Sequence, residues 1–275
     1  MKTKTYVVTG ATSGIGKALL KRIAEDNIVF AGYRNEKYLG ELIELSHNIY
    51  PFYIDYAKPE TIKPAAEYLL SKCARIDTLV NIAGCVVAGP IEKIEMSEIR
   101  RQFDVNVFGH LEFSKLLLDS LEGGKIINVS SIASFGVFPF ISPYCASKRC
   151  LDMFFNALLV ENKKNIQVVS VKPGVIATPL WGKSINENSK YFDNCQGYEQ
   201  EMKFMIANAQ KNGSKGLAVD KVVDVILKAD SARKPKLSYT VGHDAFMASL
   251  FAKLPQGFVN KLVKFGLKKR MASIK

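Results

Sequence analysis

The sequence has few of the features that signal metal binding, secretion or a membrane span. Its five cysteines show no paired ligand spacing and its three histidines are scattered, so the pattern indicates no metal site. No apolar run approaches the ~18–20 residues that span a bilayer. The first predicted strand begins at Thr3, which leaves no space for a signal peptide. These absences predict a cytoplasmic protein with reduced thiols.

Negative charge is also scarce. The 38 lysines and arginines exceed the 26 aspartates and glutamates and leave a net charge of +12. Such a surface can attract nucleic acid, anionic lipid or a phosphorylated cofactor. We expect no nucleic-acid partner, because no basic stripe is interleaved with aromatic residues. Hydrophobic residues make up 48% of the chain, which excludes a disordered protein and suits a globular domain.

Short β-rich runs alternate with longer helical patterns, which is typical of repeated βαβ units. We therefore predict one α/β domain with a Rossmann-type, doubly wound, parallel sheet of seven strands. The predicted strands are 3–9, 28–33, 49–54, 78–82, 125–129, 166–171 and 237–241. The predicted helices are 15–26, 36–45, 59–73, 97–121, 144–162 and 219–229.

A glycine-rich turn ends the first predicted strand and opens the first helix. Gly10 permits a tight turn, while Gly14 and Gly16 let the backbone approach a pyrophosphate at the positive end of a helix. We expect Ser13 and Ile15 to belong to the same cofactor-binding turn. Glycine triplets alone are weak indicators. The strand before this turn and the amphipathic helix after it favour a dinucleotide site.

The second predicted strand ends where the adenosine ribose of a dinucleotide would lie. An acidic residue there would bind the 2′-hydroxyl and repel a 2′-phosphate, but no acid precedes Glu36. Arg34 could make charge-assisted bonds to a 2′-phosphate, which favours NADP(H) over NAD(H). An exposed arginine in a polar loop is the alternative. Asp55, after the third strand, could accept a bond from the adenine amino group.

Asn81, Ala83 and Gly84 end the fourth predicted strand. The carboxyl ends of parallel strands share one edge of a sheet, so these residues are expected beside the glycine turn. Ala83 and Gly84 have almost no side chain that could obstruct a nucleotide. An ordinary strand-to-loop turn is the alternative.

A tyrosine followed four residues later by a lysine occurs three times, at Tyr33/Lys37, Tyr68/Lys72 and Tyr144/Lys148. Only the third pair opens a helix directly after a sheet-edge loop, which begins at Ser130-Ser131. On a helix the ammonium would lie near the ring and lower the tyrosine pKa from ~10. Tyr144 could then exchange a proton with a substrate oxygen held by Ser131, and Lys148 could bind the cofactor ribose.

These segments together resemble the short-chain dehydrogenase/reductase family over about residues 5–242. The matching motifs stand in the family's order and spacing. They are 9–16, 81–84, Asn106 in Asn-Val-Phe-Gly, Ser130-Ser131, 144–148, and Pro173-Gly174 with Thr178. One departure is Ile82, where the family usually has a second asparagine, and it leaves Asn81 in place.

The resemblance implies a catalytic tetrad and a nicotinamide loop. The tetrad is Asn106, Ser131, Tyr144 and Lys148, in which Asn106 positions a water that links Lys148 to solvent. The loop after the sixth strand fixes the nicotinamide amide through Pro173, Gly174, the backbone of Ile176 and the side chain of Thr178.

By the same resemblance, residues 1–242 form the dinucleotide-binding and catalytic domain, with a substrate lid at 179–216. Residues 134–141 could line one wall of an apolar pocket for a bulky, lipophilic ketone or alcohol. The lid would add Trp181, Tyr191, Phe192, Met202, Phe204 and Met205. Several of these side chains could instead pack the lid onto the body.

Residues 243–275 form an amphipathic, basic extension beyond the usual core of the family. Apolar residues from Phe258 to Leu267 recur at helical spacing opposite lysines between Lys261 and Lys269. Such a segment could lie on a bilayer surface, or it could pack against the body or a second subunit. Membrane association and a homo-oligomer are therefore both open.

The favoured function is an NADP(H)-dependent oxidoreductase that interconverts a carbonyl and an alcohol on a small lipophilic substrate, such as a steroid, a retinoid or an acyl lipid. The alternative is a non-catalytic dinucleotide-binding sensor or scaffold, against which the complete tetrad argues. A sugar-nucleotide epimerase is disfavoured, since it usually needs a longer substrate domain and a different glycine spacing.

Overall fold

The structure is a computed structural model that describes residues 3–12 and 14–272, with side chains described as far as Arg270. Seven parallel strands form one sheet. They are β1 (Thr5–Val8), β2 (Ile28–Tyr33), β3 (Ile49–Tyr53), β4 (Thr78–Asn81), β5 (Lys125–Val129), β6 (Gln167–Pro173) and β7 (Ser238–Val241). Their order is β3-β2-β1-β4-β5-β6-β7, which confirms the predicted doubly wound, Rossmann-type sheet in a single domain.

Helices connect the strands and continue beyond the sheet. They are α1 (Gly14–Ile23), α2 (Leu39–Leu45), α3 (Ile62–Lys72), α4 (Met96–Phe103), α5 (Gly109–Leu116), α6 (Ser142–Glu161), α7 (Leu180–Glu187), α8 (Ser189–Asp193), α9 (Glu199–Lys215), α10 (Val219–Ser231), α11 (His243–Phe251) and α12 (Gln256–Ala272). A π-helical turn, Asp104–Phe108, joins α4 to α5, so the single helix predicted over 97–121 is interrupted there and its last α-helical residue is Leu116.

Helices cover both faces of the sheet. Successive strand residues point to opposite faces, so each strand contributes side chains to a hydrophobic core on either side. Val8 belongs to the hydrophobic core that also contains Leu19 of α1 and Val222 of α10. The neighbouring Val7 belongs to the other core, which includes Phe113 of α5. Strands buried on both faces explain the nearly continuous apolar runs in the sequence.

The chain reverses its winding direction between β1 and β4. After β3 it crosses back over β1 and continues in the opposite direction along the sheet. At such a switch point the loops leave the carboxyl ends of adjacent strands in opposite directions and open a crevice between them. The site residues predicted at 9–16 and 81–84 flank this crevice.

The segment between β6 and β7 is helical. The predicted insertion at 179–216 consists mainly of α7, α8 and α9, and α10 follows it. The extension after β7 folds into α11 and α12. Within residues 3–12 and 14–272, no helix combines the length and apolar character that a transmembrane crossing requires.

Candidate active site

The glycine turn packs tightly on the end of β4. Gly10 has a φ of 65°, a left-handed conformation that glycine adopts without strain. A Cβ on Gly10 would lie 2.8 Å from the amide nitrogen of Ala83. The Thr9 hydroxyl accepts hydrogen bonds from the amides of Ile82 and Ala83 at 3.1 and 3.4 Å. The turn and the end of β4 therefore form one wall with no room for a side chain at Gly10.

The N-terminus of α1 lies against the loop that follows β6. Gly14 begins α1, and a Cβ on it would lie 3.5 Å from Cγ2 of Thr178. A Cβ on Gly16 would collide with the carbonyl oxygen of Gly10. Because the first amides of a helix lack intrahelical partners, this end of α1 suits a pyrophosphate. Ser13, which we predicted in the same turn, lies outside the described residues.

One cavity of about 1030 Å³ collects most of the predicted site. The predicted residues that line it are Gly10, Gly14, Ile15, Arg34, Asp55, Ala83, Gly84, Ser131, Tyr144, Lys148, Pro173, Gly174, Ile176 and Thr178. Within the described part of the chain, Gly16, Asn81 and Asn106 do not contribute to this lining. The structure thus brings the predicted cofactor residues and the predicted proton-exchange residues to one space.

The cavity wall fits a dinucleotide at several independent points. The glycine turn packs its backbone where any Cβ on Gly10 or Gly16 would be blocked, and this turn and the amide end of α1 line the cavity through Gly10, Gly14 and Ile15. Arg34, at the exposed end of β2, lines the cavity together with Asp55. Oδ1 of Asp55 accepts a hydrogen bond from the amide of Ala57 at 3.1 Å, which fixes this carboxylate in its own turn.

Tyr144 and Lys148 lie one turn apart at the beginning of α6. Nζ of Lys148 is 5.9 Å from the centroid of the Tyr144 ring. The same ammonium donates a hydrogen bond to the Val129 carbonyl oxygen at 2.9 Å, and its side chain is only 3% exposed. Ser131 caps the 3₁₀ turn after β5, where its Oγ accepts from the amide of Ala133 at 3.1 Å. A hydroxyl, a phenol and an ammonium therefore line one wall of the cavity.

Burial sets the protonation states of these groups. Desolvation raises the pKa of Tyr144 to about 12, against a smaller lowering effect from its hydrogen bond with Ser131. Desolvation also lowers the pKa of Lys148 to about 8, while the charge of Asp152 acts in the opposite direction. The expectation of a lowered tyrosine pKa is therefore not met here. The reason is that loss of hydration is the largest effect on this phenol, while the Lys148 ammonium bonds to Val129.

Asn106 lies in the π-helical turn and ties three segments together. Its Oδ1 accepts from the amide of Cys85 at 2.9 Å, and its Nδ2 donates to the Cys85 carbonyl oxygen and to Oγ of Ser147, both at 3.0 Å. A Cβ on Gly84 would lie 3.3 Å from Oδ1 of Asn106 and 3.7 Å from Nζ of Lys148. Asn106 thus joins the loop after β4 to α6 beside Lys148, and the water implied by the resemblance stays a prediction.

Asn81 also supports the site from behind. It is buried, and its Nδ2 donates to Oδ1 of Asn128 at 2.9 Å, which links β4 to β5. Gly174 has a packing role as well, because a Cβ there would collide with the carboxylate of Asp244. That carboxylate accepts from the amide of Val175 at 2.7 Å and so joins α11 to the predicted nicotinamide loop.

The sequence did not reveal a buried ion pair behind Lys148. Asp152 follows Lys148 by one helical turn, and its Oδ2 lies 2.7 Å from Nζ of Lys172 on β6. The two side chains are only 7% and 9% exposed. Ser170 donates to Oδ1 of Asp152 at 3.0 Å, and Nζ of Lys172 lies 4.5 Å from the Phe135 ring centroid. The i, i+4 spacing from Lys148 to Asp152 was the available sequence signal.

His110 is a second residue that sequence reasoning missed. Its Nε2 lies 2.8 Å from the Ala83 carbonyl oxygen, and its ring meets Tyr56 edge-on with centroids 4.7 Å apart. Burial, followed by the charge of Lys148, lowers the pKa of His110 to about 3. The ring is therefore neutral near pH 7 and can donate through Nε2 to support the end of β4.

The substrate side of the cavity is mostly apolar. Its predicted residues include all of 135–141, together with Trp181, Phe192, Phe204 and Met205. Tyr191 and Met202 are instead buried, and the Tyr191 hydroxyl accepts from the amide of Glu95 at 3.2 Å. Both sequence alternatives are thus realised, because some of these aromatic and methionine side chains face the cavity while others pack α8 and α9 onto the body.

The fold and this site define the class of NAD(P)-dependent oxidoreductases that act on CH–OH groups. The chain matches the model of the short chain dehydrogenase family over residues 4–189. It belongs to that family, as the resemblance predicted.

Two curated relatives match nearly the whole chain. The uncharacterized oxidoreductase YusZ of Bacillus subtilis is 32% identical over 92% of this chain and 94% of its own length. An NADPH-dependent 3-dehydrocapnine reductase of Ornithobacterium rhinotracheale is 30% identical over 96% of this chain and 97% of its own. A solved short-chain dehydrogenase of Streptomyces avermitilis superposes with a TM-score of 0.77, at 25% identity over 99% of this chain and 97% of that one.

Asp152→Asn should destabilise the fold strongly, because it leaves the Lys172 ammonium buried without its counter-charge. We expect the free energy of unfolding to fall by about 3–5 kcal/mol in urea denaturation. The matched control is Asp119→Asn, which removes an ion pair of the same 2.7 Å N–O distance whose carboxylate is 91% exposed. The control should change stability far less, and equal losses for both variants would contradict a special role for the buried pair.

Proposed function

We propose that the protein is an NADP(H)-dependent oxidoreductase that interconverts a ketone or aldehyde and an alcohol on a lipophilic substrate. The observation that carries this proposal is the shared cavity, which is lined by the glycine turn, Ser131, Tyr144 and Lys148. NADP(H), when bound, supplies or accepts the hydride. Side chains of the protein carry out the proton exchange and bind the substrate oxygen.

Tyr144 serves as the acid or base. With its pKa raised to about 12, its phenol keeps a proton at neutral pH and can donate it to a substrate oxygen that gains negative charge. Ser131 stabilises the same oxygen through its hydroxyl. Lys148 holds a proton below about pH 8, and its ammonium lies 5.9 Å from the centroid of the Tyr144 ring, so we assign it as the nearby group that restores the tyrosine proton. Asn106 positions the loop beside this ammonium.

Charge at the end of β2 supports NADP(H) as the preferred cofactor. Arg34 lines the cavity at this point, and the residues of β2 that line it with Arg34 are Gly32 and Tyr33, neither of them acidic. A guanidinium makes strong bidentate bonds to phosphate oxygens. The similarity to a relative named as NADPH-dependent points the same way. NAD(H) is the alternative cofactor, and kcat/KM measured with NADPH and with NADH distinguishes the two.

The apolar lining supports a lipophilic substrate. The aromatic loop 135–141 and side chains of α7 and α9 line the space beside Tyr144, and an apolar lining of this kind favours an apolar ligand. We assign residues 1–242 to the catalytic domain, residues 179–216 to a lid over it and residues 243–275 to a C-terminal extension whose helices add to the cavity lining. A cytoplasmic protein that contacts membranes through this extension fits the proposal.

The competing function is a dinucleotide-binding sensor or scaffold without catalysis. It would need the glycine turn but not the placement of Ser131 and Tyr144 on one wall. Turnover distinguishes the two functions, since an oxidoreductase consumes the dinucleotide and a sensor or scaffold does not.

Tyr144→Phe should lower kcat by about 100-fold or more, the usual contribution of a general acid or base, and leave NADPH affinity nearly unchanged. Turnover is measured as NADPH absorbance with a panel of hydrophobic ketones, and affinity by fluorescence titration. The matched control is Tyr68→Phe, since Tyr68 has the same spacing from a lysine but lies exposed on α3. Retained turnover in Tyr144→Phe would overturn the mechanism, and a wild type without turnover would favour the sensor.

Arg34→Glu should lower kcat/KM for NADPH by about 10- to 100-fold, because it replaces a charge-assisted bond with repulsion of the 2′-phosphate. The value for NADH should change little. Arg233→Glu makes the same charge change at an exposed position outside the cavity and should leave both values intact. A wild type that uses NADH better than NADPH would contradict the role given to Arg34.

A homo-oligomer belongs to the proposal as well. Exposed apolar side chains follow one another along α5 and α6, namely Leu116, Met153, Phe154 and Val160. Covering them with a second copy would remove apolar area from water. Light scattering should give a molar mass at least twice that of the chain, and Met153→Lys with Val160→Lys should reduce it. A monomeric wild type would remove this part of the proposal.

A further inference from the structure

Beyond Asp244, the charged side chains of the C-terminal extension are all basic. After Asp244 the sequence contains no further aspartate or glutamate, while basic side chains occur at Lys253, Lys261, Lys264, Lys268, Lys269, Arg270 and Lys275. A general excess of lysine does not explain this segment, since acidic residues are distributed through the rest of the chain. The surface that the extension forms is therefore suited to a polyanion.

The same segment exposes large apolar side chains. Six of them form what we call the C-terminal apolar face: Phe246 and Leu250 of α11, Leu254 of the connecting turn, and Phe258, Leu262 and Phe265 of α12. Phe265 is 68% exposed. Apolar groups this prominent on adjacent helices are uncommon on a surface that meets only water.

Helix α12 has two distinct apolar sides. Val259, Val263 and Leu267 are half-buried and line the cavity, and the Arg270 guanidinium lies 5.9 Å from the Phe204 ring centroid on α9. Packing on the body therefore accounts for this side of the helix. Phe258 and Phe265 do not line the cavity and recur on another side of α12, where Leu262 joins them in a second stripe. Leu262 stands at the border of the two sides, because it is 41% exposed and also lines the cavity.

Lysines border this second stripe. Lys261, Lys264 and Lys268 lie at i+3, i+6 and i+10 from Phe258, and all three are exposed. At about 100° per residue, they fall on the side of the stripe away from the cavity-lining side. Exposed aromatic and aliphatic groups flanked by lysines are the pattern of a helix that lies in a membrane interface.

The cavity reaches this surface at Leu262, which belongs to the C-terminal apolar face and also lines the cavity. Met247 and Phe251 of α11 line the cavity together with Val259 and Val263 of α12, so the helices that carry the exposed stripe also form the cavity wall. A lipophilic molecule that leaves a bilayer at α11 and α12 would therefore meet the substrate side of the cavity without crossing the rest of the protein.

A second copy of the chain is a poorer occupant of the same surface. In an isologous dimer this face would meet itself, and the lysines of both copies would be brought together without any acidic partner from residues 245–275. Like charges in such a contact repel each other. An anionic bilayer offers the complementary charge together with an apolar interior.

We propose that α11 and α12 dock on an anionic phospholipid bilayer through the C-terminal apolar face and its lysines, which places one wall of the cavity at the bilayer surface. The delivery of a substrate by this route rests on the proposed function, whereas the docking itself does not.

Docking is tested by co-sedimentation of the full chain with vesicles of phosphatidylglycerol and phosphatidylcholine, compared with phosphatidylcholine alone. We expect binding to the mixed vesicles and much weaker binding to the neutral ones. The triple variant Lys261→Gln, Lys264→Gln, Lys268→Gln should bind on the order of 100-fold more weakly, from the usual attraction per lysine. The matched triple of exposed lysines elsewhere is Lys21→Gln, Lys72→Gln, Lys163→Gln, and it should bind as the wild type does.

Insertion of the apolar face is tested by Phe265→Trp. The chain has one tryptophan, Trp181, so the wild type supplies the baseline fluorescence. Vesicles with brominated acyl chains should quench the added signal of the variant. No binding of the wild type to anionic vesicles, equal loss in both lysine triples, or an added signal that stays unquenched in the bound protein would each overturn docking through this face. A dimer that Phe258→Ser with Phe265→Ser dissociates would assign the face to a second copy.

Failure of docking and failure of the proposed function give different results. Loss of docking alone leaves turnover of water-soluble ketones and its dependence on Tyr144 intact. If the oxidoreductase function is wrong, the wild type binds anionic vesicles but shows no turnover that Tyr144→Phe removes.

Discussion

The contact between the glycine turn and the end of β4 is the constraint on which the site depends. Gly10 and Ala83 come so close that no Cβ fits between them, and Thr9 holds the two segments together through the amides of Ile82 and Ala83. This contact spans the switch point of the sheet, so it fixes the position of the α1 N-terminus relative to the fourth strand. A Cβ on Gly10 would push these two segments apart.

A second layer of polar contacts holds the catalytic wall against this frame. Asn106 bonds to both backbone groups of Cys85 and to Ser147, and this uses the side-chain oxygen and both amide hydrogens in one place. The π-helical turn supplies the local bend that lets an asparagine inside a helix reach a neighbouring loop. On the far side of Lys148, Asp152 connects α6 to β6 through Lys172.

Burial shifts the pKa values of Tyr144 and Lys148 in opposite directions. The charged form of each group loses hydration, so the phenol holds its proton more tightly while the ammonium holds its proton less tightly. The two pKa values move apart, although adjacency of the charges alone would have drawn the tyrosine downward. Asp152 limits the fall of the Lys148 pKa, and Lys172 pairs with that aspartate in the interior.

The seven strands and the doubly wound, Rossmann-type class of the sheet were predictable from the sequence, because strand periodicity and glycine placement are local properties. The tyrosine–lysine spacing is a pattern that does not by itself predict which pair belongs to the site. Lys72 lies 6.0 Å from the Tyr68 ring and Lys148 lies 5.9 Å from the Tyr144 ring, so the spacing produces the same geometry in both pairs. Burial distinguishes the two pairs, because Tyr68 of the first pair is 37% exposed, whereas Lys148 of the second pair is buried. The sign of the Tyr144 pKa shift and the Asp152–Lys172 pair depend on such long-range packing, which no local pattern encodes.

The C-terminal helices show the same limit from the other direction. Helical periodicity correctly grouped the apolar residues of α12, but it could not divide them between a partner within the chain and one outside it. Val263 and Phe265 are two residues apart, yet the first lines the cavity from a half-buried position, whereas the second is 68% exposed and does not line it. A helix that only closed the cavity would need one apolar side. The second side is bordered by lysines, and no acidic residue follows it in the sequence, so closing the cavity does not account for it. An anionic bilayer offers the negative charge and the apolar interior that complement this surface.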